Sequence, residues 1–355
     1  MEQKRITWVD TARFFAMLAV MANHTQYTTA KLDSFVAPFY LNMFSFAAGY
    51  VYVHRAGFGK FFRRKLQQLF VPWLCLSLLT IVLGQLLSFH EHAPLGRLLL
   101  DNLLQIHYRG DEMWYVAALF AGFLPFYFLI ALLERRAEKR RRRAWGLLLL
   151  LFALALAGDA FVMFVPPEHV PGCYGPAPAA LPWHLEYLGT MLFYMLLGYL
   201  FRGRAEAAFD RHNGRWTCAL LLALFLFVNM SLPWKLGGIF GVPRLFFQHL
   251  CAVLSLAALT SLAKLLPSNA FVRMVGENTI LYYGLHGKVE SLVQMLLARF
   301  WPAAAALRWT DLPASAAVAV VIALLVAVLL APVVAAIRRW LPFLAGKGRG
   351  PRRTV

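Results

Sequence analysis

Ten blocks of about 18–22 largely apolar residues recur along this chain, and that recurrence constrains it more than any other feature. A helix of that length crosses a hydrocarbon layer ~30 Å thick, and a backbone in lipid must satisfy its own hydrogen bonds, so the blocks read as helices. They fall at 6–23, 35–53, 70–89, 113–133, 145–165, 184–201, 217–232, 245–263, 278–297 and 314–336. Only 15% of the 355 residues are charged and 60% are hydrophobic, whereas a soluble chain carries about a quarter charged. The expected fold is all-α: a polytopic integral membrane protein of about ten transmembrane helices, forming one membrane domain over residues 1–355.

The charge fixes an orientation. With the N-terminus inside, the segments 1–5, 54–69, 134–144, 202–216, 264–277 and 337–355 hold 26 Lys and Arg, against 7 in the outside loops. Cytoplasmic loops of membrane proteins carry this excess. Both termini are thus expected in the cytoplasm, with the chain in the cell's inner membrane. The same distribution removes nucleic acid as a partner, despite a net charge of +18. The run Glu134–Arg143 and the tail Lys347–Arg353 read as topology signals touching anionic lipid. Ile6–Asn23 follows Lys4 and Arg5 as a signal peptide would, but it contains Asp10 and Arg13 and lacks a small-residue cleavage site, so it reads as a retained span. Cys75, Cys173, Cys218 and Cys251 show no CxxC spacing and support neither a disulfide framework nor a zinc site. Of the outer loops, 90–112 contains a candidate short helix at Leu95–Tyr108, and the Pro- and Gly-rich 166–183 reads as an ordered lid.

Charge inside a span needs a purpose or a partner. In the first block, Asp10, Arg13 and His24 fall within about a 60° arc at ~100° per residue, with Met17 on the same stripe. Two readings stand. Asp10 and Arg13, at i and i+3, neutralise one another while His24 caps the span. Alternatively, His24 is a general base, a role its near-neutral pKa suits, with Arg13 as an orienting or anion-binding cation and Asp10 holding Arg13. In the ninth block His286, Lys288 and Glu290 lie well inside; Lys288 and Glu290 point to different faces, so each calls for a partner on another helix, Asp10 or Asp159. Seven of ten histidines fall on the outer side, and His90-Glu-His92 resembles two arms of a metal site, but no carboxylates sit at ligand spacing and no metal is expected.

Several segments then carry a likeness. Arg13 and His24 are separated by ten residues behind an aspartate, Asp10. The second block ends in Phe44–Tyr50; the third is entered through Lys65, Leu69 and Pro72; the fourth opens with Trp114–Phe120; the ninth holds Gly276, Asn278, Thr279, Tyr283 and His286. In this order the chain resembles the acyltransferase-3 family of multi-pass membrane acyltransferases, and is most similar to its fucose 4-O-acetylase-like branch. It departs from the family pattern at Tyr40–Asn42, at Ala48 and at Gln68.

The resemblance implies transfer of an acyl group, most often acetyl, from cytoplasmic acyl-CoA (acetyl-CoA as donor substrate) to a hydroxyl of an envelope glycan or lipid-linked sugar. His24, Arg13 and Asp10 are then the catalytic candidates, and Trp114, Tyr283 and His286 line the substrate; Lys288 and Glu290, charges inside a span, join them on that ground. Arg63, Arg64 and Lys65 suit CoA phosphates at the inner mouth, or serve only as positive-inside charge. The alternative is a transporter or flippase of a polar or lipid-linked solute; against it, the sequence shows no repeat symmetry and no paired broken spans.

Overall fold

A computed structural model describes residues 6–54, 57–86, 94–106, 113–135, 137–170, 178–231 and 242–346. His90, His92, His107, Glu112, Cys173 and the tail Lys347–Arg353 lie outside them. No strand occurs among the described residues. The α-helices are α1 (Thr7–His24), α2 (Ala30–Val36), α3 (Tyr40–Tyr50), α4 (Phe58–Lys65), α5 (Val71–Leu86), α6 (Leu95–Leu104), α7 (Trp114–Glu134) and α8 (Arg140–Phe164), then α9 (Leu188–Phe201), α10 (Arg204–His212), α11 (Arg215–Ser231), α12 (Val242–Leu265), α13 (Ala270–Glu277), α14 (Thr279–Phe300), α15 (Pro302–Ala305) and α16 (Pro313–Trp340).

Most apolar blocks appear as helices, and prolines account for the main departures. The second block breaks in two at Pro38, between α2 and α3, which lacks the N–H needed to continue the helical ladder, although Ala37 before it keeps helical angles. In the sixth block, residues Pro182–Tyr187 form a 3-10 turn in which Trp183 and His184 have positive φ of 59° and 53°, and the α-helix starts only at Leu188. The third block extends back to Phe58 through a π-helical turn at Leu66–Phe70. Pro72 has no N–H to donate to the Gln68 carbonyl, and the widened turn falls just before it. The expected short helix after residue 94 runs Leu95–Leu104.

Five helices among the described residues are long and apolar enough to cross a membrane: Phe58–Leu86, Trp114–Glu134, Arg140–Phe164, Arg244–Leu265 and Pro313–Trp340. The pair Arg204–His212 and Arg215–Met230, bent by 102°, makes a sixth if it is one span. The remaining blocks fall short for physical reasons: α3 has 11 residues and α9 has 14, while Asp10 and Arg13 dilute α1, and Lys288 and Glu290 dilute α14.

The chain forms two compact units, residues 1–47 with 203–335, and residues 48–202 with 336–355. In the first, α1 packs on α12, α13 and α14, and α11 pairs with α12. Gly276 makes the α1–α13 contact possible, since any side chain there would overlap the backbone carbonyl of Asp10. In the second, α8 pairs with α9, and α7 meets both the π-helical turn and the Pro182–Tyr187 turn. Gly49 similarly lets α3 lie against the backbone of Met195 in α9.

Candidate functional site: a histidine pair where the first helix ends

The polar stripe of α1 is read best from its end. The helix stops at His24 because Thr25 turns extended, its hydroxyl donating to the Ala22 carbonyl (3.1 Å). Asp10 is buried against α13, Arg13 is half-buried, Met17 is fully buried and His24 is exposed. On α14, His286 is fully buried. Its Nε2 lies 2.8 Å from His24 Nδ1, with the two rings stacked at 5.1 Å and 20°.

The other nitrogen of His286 assigns the protons. Nδ1 sits 2.7 Å from the Tyr283 carbonyl, which only accepts, so Nδ1 carries hydrogen. In neutral His286 the Nε2 is then an acceptor, and His24 Nδ1 must donate to it. The basic lone pair of His24 is thereby assigned to Nε2. A proton taken there leaves a His24 cation hydrogen-bonded to a neutral imidazole, and the pair spreads the charge over two rings. The Tyr283 ring also stacks with His286 (5.9 Å, 16°).

A second group of contacts fixes the residues after His24. The Gln26 N–H donates to Gln294 Oε1 (3.0 Å), and Gln294 Nε2 donates to Glu290 Oε1 (2.9 Å). Arg308 donates from Nη2 to the Gln294 carbonyl (2.6 Å) and from Nε to the Tyr27 hydroxyl (3.3 Å). Trp309 N–H reaches the Gln26 carbonyl (2.9 Å), and Ser315 Oγ the Tyr27 carbonyl (2.8 Å). His286, Glu290 and Gln294, at i, i+4 and i+8, form one stripe on α14. Glu290 Oε1 takes a hydrogen bond from Gln294 on its own helix, one turn on.

The first unit therefore holds Asp10, Arg13, His24, Tyr283, His286, Lys288 and Glu290; Lys288 is half-buried. Arg63, Arg64, Lys65 and Trp114 belong to the second unit. There Arg63 and Arg64 are exposed, while Lys65 Nζ lies 3.4 Å from the Phe123 ring centroid, a cation–π contact. Trp114 opens α7 with its ring 4.4 Å from the buried His184, whose Nδ1 is 3.3 Å from Glu186 Oε1. Gln294, Arg308 and the His184–Glu186 pair were not singled out from sequence. The one available signal was the four-residue spacing from His286 through Glu290 to Gln294.

These features define an α-helical membrane protein with a hydrogen-bonded histidine pair where its first helix ends. The chain belongs to the acyltransferase-3 family: the family model, described as an acyltransferase domain, matches residues 6–332. It is a membrane acyltransferase. No curated protein and no solved structure matches the chain.

Proposed function

We propose that the protein moves an acyl group, acetyl in the first instance, from cytoplasmic acyl-CoA to a hydroxyl of a cell-envelope sugar or glycolipid. The contact between His24 and His286 carries this reading, because it supplies a base in a chain of acyltransferase descent. His24 Nε2 takes the proton of the acceptor hydroxyl as its oxygen attacks the thioester carbonyl. The C–S bond then breaks, and the CoA sulfur leaves with the proton returned by His24. His286 holds His24 in the productive tautomer and shares the charge that develops on it. Arg13, about three turns below His24, suits the negative charge of the donor, and Asp10 suits holding Arg13. Arg63 and Arg64, both exposed, suit CoA phosphates, while Trp114 and Lys288 suit acceptor contacts.

The charge bias of 26 against 7 supports ten crossings of the inner membrane with both termini cytoplasmic. That topology puts donor entry near Arg13 and acceptor approach near His24. The motif likeness favours the fucose 4-O-acetylase-like branch. The test is acetyl transfer from labelled acetyl-CoA to envelope glycolipid by the purified protein in nanodiscs. His24→Ala and His286→Ala should each lower turnover by about 10²–10⁴-fold, the usual contribution of a positioned base. Full activity in His24→Ala would overturn the mechanism.

A further inference from the structure

The back of α1 lines a cavity. Phe15, Leu18, Ala19 and Ala22 form its wall there, facing Phe225 of α11, Ala258 of α12 and Ala323 of α16, among others. The cavity measures about 340 Å³, within the ~300–1,000 Å³ range of ligand pockets. Its lining is hydrocarbon except for Ser255, whose hydroxyl donates to the Ala252 carbonyl (2.7 Å). A water molecule needs two or more polar partners; with Ser255 the one polar side chain in the lining, the cavity suits hydrocarbon rather than water. Two walls, α12 and α16, contain helices long and apolar enough to cross a membrane, which makes a lipid chain the available source.

Position on α1 separates the kinds of chain. Taking ~100° per residue, Phe15 and Ala22 lie roughly opposite His24, and Arg13 lies within ~20° of His24. A donor's acyl chain, carried on a thioester approaching along the Arg13 face, would be on the wrong side. Asn23 bridges the two faces: it follows Ala19 by one turn and precedes His24 by one residue. Its Nδ2 donates to Asp33 Oδ1 (3.1 Å) at an exposed position of α2, the helix whose Leu32, Phe35 and Val36 line the same cavity. Asn23 and Asp33 follow the lining residues Ala22 and Leu32 directly in the chain, so groups suited to sugar hydroxyls border the cavity as α1 ends at His24.

From this continuity we infer that the acceptor is a lipid-linked saccharide, seated by its hydrocarbon chain in the cavity behind α1. The inference rests on the acyl-transfer reading and narrows its acceptor. The probes are methyl and dodecyl glycosides of one sugar, and a dodecyl glycoside bearing a diazirine at the tail end, all with the protein in nanodiscs. The diazirine probe is expected to label peptides of α1, α12 or α16, to be competed by the dodecyl glycoside, and to resist competition by a phospholipid. Ala323→Trp, with Ala258→Leu as a milder filling, should abolish that labelling. Each should also raise KM for the dodecyl glycoside about tenfold and leave transfer to the methyl glycoside unchanged. Labelling elsewhere, labelling unaffected by both fillings, or equal competition by phospholipid would overturn the inference, the last making this a general lipid site. Site-specific labelling without transfer to any glycoside would instead defeat the acyl-transfer reading and leave the tail site standing.

Discussion

The last residue of a helix is placed by whatever holds the chain beyond it, and for His24 that support is Gln294. One end of its amide receives the Gln26 N–H and the other donates to Glu290, one turn from His286. Gln294→Leu removes both bonds, and a misplacement on the order of 1 Å costs about 10²-fold. Turnover is expected to fall by that factor with the KM for acetyl-CoA unchanged. Exchanging the pair, Glu290→Gln with Gln294→Glu, keeps one amide facing one carboxylate and an acceptor for Gln26, so it should restore much of the loss. Gln294→Glu alone puts two carboxylates together and should not. Unchanged turnover in Gln294→Leu would remove Gln294 from any positioning role. A second expectation concerns additivity. His24 and His286 share one proton path, so the double alanine variant should be hardly slower than His24→Ala alone, as for residues that act as a unit; multiplied losses would mean independent roles. Arg13 and His24 were legible in the sequence because helical periodicity relates residues eleven apart. The partner of His24 was not, because no local periodicity joins residues 262 apart; from sequence, His286 reads as lining substrate.

Between elements, the decisive residues are those without side chains or without N–H groups. Apolar blocks marked nearly every long helix, since block length and composition are local properties. What they missed was local chemistry inside a block: the break at Pro38, the π-helical turn ahead of Pro72, and the left-handed Trp183 and His184, where no glycine or asparagine announces a positive φ. In the sequence Gly276 stands only as part of a motif, and its physical reason is the Asp10 carbonyl against it. Alanine normally stabilises a helical glycine position by about 1 kcal/mol. Gly276→Ala should do the opposite, lowering stability by about 1–3 kcal/mol through overpacking and lowering activity with it, as α1 is pushed off α13. Gly146→Ala in α8, where an added Cβ meets nothing within 4 Å, is the control and should raise the thermal midpoint. Thermal unfolding in one detergent checks both signs, and a midpoint raised by Gly276→Ala would contradict the contact.

For the whole molecule, two counts of membrane crossings compete, and they rest on different physics. Among the described residues, length and composition pick out five helices, or six with the bent pair, whereas the charge distribution asks for ten. The difference lies in α1, α3, α9 and α14, helices too short or too polar to cross alone. An isolated helix carrying Asp10, Arg13 and His24 would be costly in lipid, yet intramembrane charges are tolerated when they face a protein interior, and Asp10 is buried at 6% exposure. Hydropathy scores each helix as if lipid surrounded it, so it undercounts helices whose polar faces are covered by their neighbours. The charge rule acts on the loops and is blind to that covering, so the larger count is the one to expect. Single cysteines in a background with Cys75, Cys173, Cys218 and Cys251 replaced separate the two. Ten crossings put Lys31→Cys and Gly57→Cys on opposite sides of the membrane, because α2 and α3 return the chain that α1 carried out. They likewise put Pro267→Cys and Leu312→Cys on opposite sides, because α14 crosses between them. With a membrane-impermeant maleimide on intact spheroplasts, Lys31→Cys and Leu312→Cys should react, and Gly57→Cys and Pro267→Cys should react only after lysis. Matching reactivity within either pair would mean that α3, or α14, does not cross, and the count of ten would fall.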